Sequence, residues 1–166
     1  LRLQVATAAT KLTGVDPLAL LVQVLAAGGR DELIEHVVWQ NLHPLLERQG
    51  PRYLELVAGE EFAGSAAVNS LLPRAVDRIL GSRDMNSIAT CLGQLSADGA
   101  LGGEALETCF ASLAGRLAAR RISTDELATL RPRLDPLVQQ ALARPKKEAV
   151  HVNAALLAAT WKDARA

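Results

Sequence analysis

Apolar side chains recur along this chain three and four residues apart, the spacing that lines one face of an α-helix, and Gly, Pro and capping residues punctuate the runs. Leu1 to Leu12 reads as a first helix stopped by Thr13-Gly14. Asp16-Pro17 then supplies an N-cap and a proline at the first helical position, launching Leu18 to Ala27 as far as Gly28-Gly29. Asp31 caps a third helix through Asn41, with Leu33, Ile34, Val37, Val38 and Leu42 on one stripe. His43-Pro44 is expected to interrupt that helix, with a further turn through Arg48, and Gly50-Pro51 leads into a short helix ending near Val57.

Glu60 to Gly64 reads as a loop, and Ser65 to Leu80 as a helix kinked or broken at Pro73. Asp84 caps Met85 to Leu95. After a loop at Asp98 to Gly103, Glu104 to Arg121 is expected to be the longest uninterrupted helix. Ser123-Thr-Asp-Glu126 is a capping box. Pro132 and Pro136 are expected to divide the helical stretch after that box, with Asp135 capping the helix that Pro136 starts and Arg144-Pro145 ending it. A small-residue amphipathic helix over 147–161 closes the chain.

The sum is about nine or ten helices of roughly 10–18 residues joined by short loops. Helix pairs of this length, stacked side by side, make a HEAT or armadillo solenoid. The expected architecture is therefore all-α: a HEAT/armadillo-like α-solenoid of antiparallel helix pairs, with residues 1–166 as a single helical-repeat domain. No strict period survives a comparison of the pairs, which leaves an irregular closed helical bundle as the alternative. The chain opens inside an apolar helical pattern, and Trp161 to Ala166 reads as a turn out of a helix, so it reads as a slice of a longer array. Leu1, Leu3 and Val5 at one end, and Leu156, Leu157 and Trp161 at the other, are then expected to present apolar faces.

Composition supports the helical reading. Ala and Leu, the strongest helix formers, supply roughly a third of the chain, and aromatic residues only 3%. With 49% hydrophobic and 22% charged residues, a chain of this length buries a core without disulfides or metals. Eighteen basic and eighteen acidic residues cancel, so there is no cationic surplus to displace counterions from a nucleic acid. The Arg116-Leu-Ala-Ala-Arg120-Arg121 and Arg144-Pro-Lys146-Lys147 patches read as cation-rich helix ends or solvated faces, since cations favour helix C-termini. No apolar run approaches the ~18 residues of a membrane span, so no membrane insertion is expected.

Several segments together resemble a known family. Leu1-Arg-Leu-Gln-Val-Ala, and Asp31 followed by Ile34 and Val38-Trp39, resemble the HEAT-like helical region of large planctomycete multidomain proteins. Leu72-Pro-Arg74-Ala-Val-Asp-Arg78-Ile-Leu and Ile88-Ala-Thr-Cys91-Leu resemble later helices of that region, and Trp161-Lys-Asp163-Ala-Arg165-Ala its Asp/Arg turn. The family joins a dehydrogenase-like β-propeller to the helical region and then to a c-type cytochrome domain. This chain departs from it at Glu35, where Pro is usual, and at Gln40, where a second Trp is common. The haem motif Cys-x-x-Cys-His is absent, so no haem or dehydrogenase role passes to any residue here. The resemblance implies a periplasmic or exported setting.

Candidate chemistry is sparse. His36 and His43 would share a face of a continuous helix, near Glu32, Glu35 and Glu47, but a break at Pro44 would spoil the alignment, so no metal site is expected. Trp39 and Trp161 read as buried anchors between helix layers, with a ligand groove as the sharper alternative. Cys91 and Cys109 read as small buried hydrophobes, a disulfide being conceivable in an exported parent. Gly99-Ala-Leu-Gly102-Gly103 is a linker without the strand and Lys of a phosphate loop. Glu60-Glu61 and Glu104/Glu107 have no fixed partner for acid–base work. The expectation is a non-catalytic scaffold or protein-interaction module without cofactor, catalytic or metal residues, its partners neighbouring domains or another protein. The alternatives are the helical part of a haem-linked oxidoreductase cleft and, less well supported, a nucleic-acid-binding HEAT protein.

Overall fold

A computed structural model describes residues 1–29, 31–62, 64–82, 84–96 and 103–163. Among them the chain is all-α, with eight α-helices and no strand. The helices are α1 (Arg2–Ala8, extended by a 3-10 turn at Ala9–Lys11), α2 (Pro17–Gly28), α3 (Glu32–Ala58), α4 (Ala66–Leu80), α5 (Met85–Ser96), α6 (Gly103–Ala118), α7 (Thr124–Leu142) and α8 (Ala149–Asp163). They gather into two compact units, 1–79 and 80–166.

The helix starts follow the capping chemistry. The Asp16 carboxylate accepts from the Leu18 amide at 3.1 Å, and that of Asp31 from Leu33 and Ile34 at 3.0 and 3.2 Å. At Ser123 the hydroxyl accepts from the Glu126 amide at 3.2 Å, while the Glu126 carboxylate accepts from the Ser123 amide at 2.8 Å. Gly29, at φ +64°, ends α2 in the left-handed region that glycine enters without steric cost.

The prolines behave differently from expectation. Helix α3 runs straight through Pro44, and α7 through Pro132 and Pro136, making α7 longer than α6. Asp135 consequently sits inside α7, where it pairs with Arg131 at 3.3 Å instead of capping a new helix. The physical reason is which face each proline occupies. A proline releases the carbonyl four residues earlier, and here those residues, Gln40, Ala128 and Pro132, are all exposed. Water can satisfy a carbonyl on that face, while the buried stripes Ile34–Val38–Leu42–Leu46 and Leu130–Leu134–Val138 stay continuous. Leu33, placed on the buried stripe by spacing, is 56% exposed.

The chain bends instead at Gln49, the one residue of α3 with non-helical dihedrals (φ −124°, ψ 19°), just before Gly50-Pro51. Gly50 is buried there against Ile79 of α4. Three contacts fix how α3 and α4 run. Ser70 Oγ, which donates to the Ala67 carbonyl at 2.8 Å, lies 3.4 Å from Glu35 Oε2, Arg74 sits on the Trp39 ring, and Arg78 Nε donates to the His43 carbonyl at 3.5 Å; each pair across the two helices is 35 residues apart. Positions rise together on both helices, so the first part of α3 and α4 run parallel. Successive helices can do that only if the chain returns between them, and the segment after Gln49 makes the return.

Elsewhere in the first unit, α1 and α2 both pack on α3, and Arg52 forms an ion pair with Asp16 at the start of α2. Tyr53, Leu54, Val68, Leu71 and Val76 are among its fully buried side chains. In the second unit α5 packs on α7, α6 on α8 and α7 on α8, around Cys91, Cys109, Phe110, Leu113 and Leu134. Of the expected terminal apolar faces, Leu1 and Leu156 are exposed, Leu3 and Val5 are half-buried, and Leu157 is fully buried. The expected linker at Asp98–Gly102, the side chains of Glu104 and Trp161, and the closing Arg165 lie outside the described residues.

Candidate functional sites

Trp39 is half-buried, not the fully buried anchor its apolar neighbours suggested. Its ring stacks on His43 with centroids 5.8 Å apart and planes inclined by 27°, and the Arg74 guanidinium carbon lies 4.4 Å from its centroid. Residues four apart on a helix stand one above another, so Glu35, Trp39, His43 and Glu47 form one row of α3. Ser70, Arg74 and Arg78 form the facing row of α4. Both rows advance about 6 Å per step, which keeps parallel helices in register from Ser70–Glu35 to the Arg78–Glu47 ion pair. That ion pair is solvent-exposed on both sides and contributes roughly 0–1 kcal/mol.

The two histidines expected to fall out of alignment lie on one unbroken stretch of helix, because Pro44 does not break it. Each is nevertheless engaged locally. His36 Nε2 is 2.9 Å from the Gln40 amide nitrogen, and His43 Nδ1 is 3.2 Å from the Trp39 carbonyl oxygen. Among the described residues, no group of three or more His, Cys, Asp or Glu side chains is placed to hold a metal ion. Glu60 and Glu61 are exposed in the turn after α3. Sequence reasoning missed Arg74 and Arg78 as partners of the α3 row. The available signal was two cations four apart on α4, Arg74 and Arg78, opposite Glu35, Trp39, His43 and Glu47 four apart on α3.

A second site lies wholly in the second unit. Here Leu80, Gly81 and Ser82, the first half of α5, the end of α6 with residues 120–122, and the start of α7 line a cavity of about 590 Å³. Its polar wall carries Ser82, Arg116, Arg120, Arg121 and Glu126, and half-buried Met85 adds apolar surface, with Leu80 and Ile88 buried behind it. Ser82 Oγ is buried without a hydrogen-bond partner among the described residues. Arg116 donates from Nε to Ser112 Oγ at 3.1 Å. Neither Arg120 nor Arg121 enters an ion pair among the described residues.

The helix end explains how three arginines converge. The Arg120 amide donates to the Leu117 carbonyl at 2.9 Å and the Arg121 amide to the Arg116 carbonyl at 2.8 Å, the paired bonds of a Schellman ending. That ending needs a left-handed residue, and Arg120 supplies it at φ 53°, where glycine is usual. A side chain in this conformation costs roughly 1 kcal/mol. Among the described residues Arg120 alone, apart from glycines, has a positive φ.

No protein-family model, curated protein or solved structure matches the chain. Its functional reading therefore rests on these two surfaces.

The cysteines offer no nucleophile. Cys91 and Cys109 are free and buried. Burial pushes the Cys91 thiol up to about 12, and burial together with the nearby Cys91 raises Cys109 well above the ordinary thiol range. A thiol that stays protonated attacks neither carbonyls nor disulfides, so both act as core side chains. No helix among the described residues is long and apolar enough to cross a membrane.

Proposed function

We propose that this chain is a non-catalytic helical-repeat module, built from HEAT-like antiparallel helix pairs, that serves as a scaffold or protein-interaction surface within a larger protein. The observation that carries the reading is the register of α3 and α4, in which Glu35–Ser70, Trp39–Arg74 and His43–Arg78 share one separation of 35 residues. Stacked repeats place each helix parallel to its counterpart one repeat later, and a constant separation is the direct consequence. An up-and-down bundle, whose sequential neighbours are antiparallel, has no such constraint. Packing of α5 on α7 and α6 on α8, each helix against the next but one, supports the same reading in the second unit.

The Trp39–Arg74–Arg78 face is the contact surface we assign to this module. Trp and Arg dominate the binding energy of protein interfaces, because each presents a large contact area at limited entropic cost. The resemblance to planctomycete multidomain proteins favours a redox protein or one of its domains as the partner. The test is isolation of the tagged full chain from its native cells, with cross-links mapped by mass spectrometry. A stoichiometric protein complex cross-linked through α3 and α4, and lost on Arg74→Glu while helicity is kept, is the expected result. A complex indifferent to Arg74→Glu, or catalytic turnover by the chain alone, would overturn the proposal.

A further inference from the structure

A scaffold role makes no use of the cationic cavity in the second unit, and the geometry points to that cavity as a binding site for a small organic phosphate, a phosphate monoester on a compact, partly apolar body. Charge is the first argument. Among the described residues, three guanidinium groups, Arg116, Arg120 and Arg121, line the wall against one carboxylate, Glu126, which already accepts from the Ser123 amide and hydroxyl at 2.8 Å each. The surplus of about two positive charges matches a phosphate monoester, which carries about −1.5 to −2 at neutral pH; a carboxylate would leave it half-compensated. Planar guanidinium forks also fit phosphate oxygens in pairs.

Shape and polarity agree. Ser82 also lines the cavity; its Oγ is buried and has no partner among the described residues, so it reaches a ligand oxygen by rotating about its Cα–Cβ bond. Met85, half-buried at the cavity, offers an apolar surface to the rest of the molecule. The volume of about 590 Å³ is that of a small-molecule site. A pocket of this size admits one headgroup and its body, whereas a nucleic-acid backbone runs along extended grooves.

The backbone supplies the third argument. A solvated, cation-rich helix end accounts for Arg116 and Arg121, since cations favour that terminus. It does not account for Arg120, which stands in the left-handed position that glycine would fill without strain. Strain kept at such a position signals that the side chain serves something other than the fold.

The experiment uses the full chain with phenyl phosphate, inorganic phosphate and benzoate, read by isothermal titration and amide chemical shifts. Phenyl phosphate is expected to bind saturably at one site, shifting the amides of Ser82, Ile88 and 116–122. Inorganic phosphate should compete, and benzoate should bind at least about tenfold more weakly. Arg120→Gly should weaken phenyl phosphate at least about tenfold while raising the melting temperature by about 2–4 °C. Arg121→Gln should weaken it comparably, and Arg144→Gln, at a separate exposed patch, should leave it unchanged. Absence of saturable binding by phenyl phosphate overturns the inference, as does equal weakening by Arg144→Gln. Benzoate binding as tightly overturns the phosphate assignment. Binding of a short oligonucleotide through the same residues, with phenyl phosphate silent, assigns the surface to a phosphodiester backbone instead.

Discussion

The Arg74 guanidinium carbon lies 4.4 Å from the centroid of the Trp39 ring, joining the exposed row of α4 to that of α3 across 35 residues of sequence. A cation over an indole face at a partly exposed site is worth about 0.5–1 kcal/mol. A double-mutant cycle with Trp39→Leu and Arg74→Gln should therefore give a coupling energy of about that size in urea denaturation. The coupling should survive 0.5 M salt better than that of the exposed Arg78–Glu47 pair, whose attraction is screened.

Gly50 brings the bend of α3 close against helix α4. A Cβ built there would stand 2.7 Å from Ile79 Cγ1 and 2.9 Å from Cγ2, inside van der Waals contact. Gly50→Ala should cost about 1–3 kcal/mol through overpacking. Pairing it with Ile79→Ala should recover part of that loss relative to the sum of the single changes, which equilibrium unfolding would measure.

Tyr53 is fully buried, and its hydroxyl has no hydrogen-bond partner among the described residues. Leaving a polar group unpaired in the core costs about 1–3 kcal/mol, so Tyr53→Phe should be neutral or raise the melting temperature. Burial also raises the phenol pKa above its ordinary value of 10.0. The unfolded phenol therefore ionises at a pH where the folded one does not, and wild-type stability should fall above about pH 10. Tyr53→Phe should flatten that alkaline limb.

The Cys91 thiol carries the same sign. Its folded pKa of about 12 lies above the ordinary thiol value, so the stability it contributes is present below about pH 9 and lost as pH rises toward 12. Neither Cys91 nor Cys109 should react with iodoacetamide at pH 8 in the folded chain, and both should react in 6 M guanidinium. Mass spectrometry after timed quenching reads the difference. Rapid native labelling would contradict their burial.

Asp84 carries the opposite sign. The Ser87 hydroxyl, donating at 2.7 Å, chiefly holds its carboxyl below the ordinary range, helped by the Ser87 and Asn86 amides. Because the folded pKa is depressed, this cap stabilises the chain above the unfolded pKa and loses its effect as pH falls through the folded one. Asp84→Ala should lower thermal stability at pH 7, and the gap to wild type should close as pH drops below about 4.

Much of the helical framework was legible in the residues. Asp16, Asp31, Asp84 and Ser123 start helices in the sequence and do so in the structure, because a cap is a local bond between a side chain and an amide two or three residues on. Both sites were legible only in fragments. The 116–121 arginine patch was visible as a cation-rich helix end, but not its proximity to Leu80, Ser82 and Ile88, which arrive from the end of α4, the connection after it and α5. Trp39 was visible as a large apolar side chain, but its partner Arg74 sits on another helix.

Sequence alone determined the all-α class, the caps and most helix bounds, since propensity, capping and 3.6-residue periodicity act within a few residues of chain. Tertiary structure decided which prolines break helices. Pro44, Pro132 and Pro136 release carbonyls on exposed faces, where water can replace the lost bond, so the helices run through them; the bend at Gln49 falls where Gly50-Pro51 already marked a break in the sequence. It also decided that α3 and α4 run parallel, and that the chain gathers as two compact units. Those outcomes depend on which faces meet across tens of residues, and a local pattern carries no term for that.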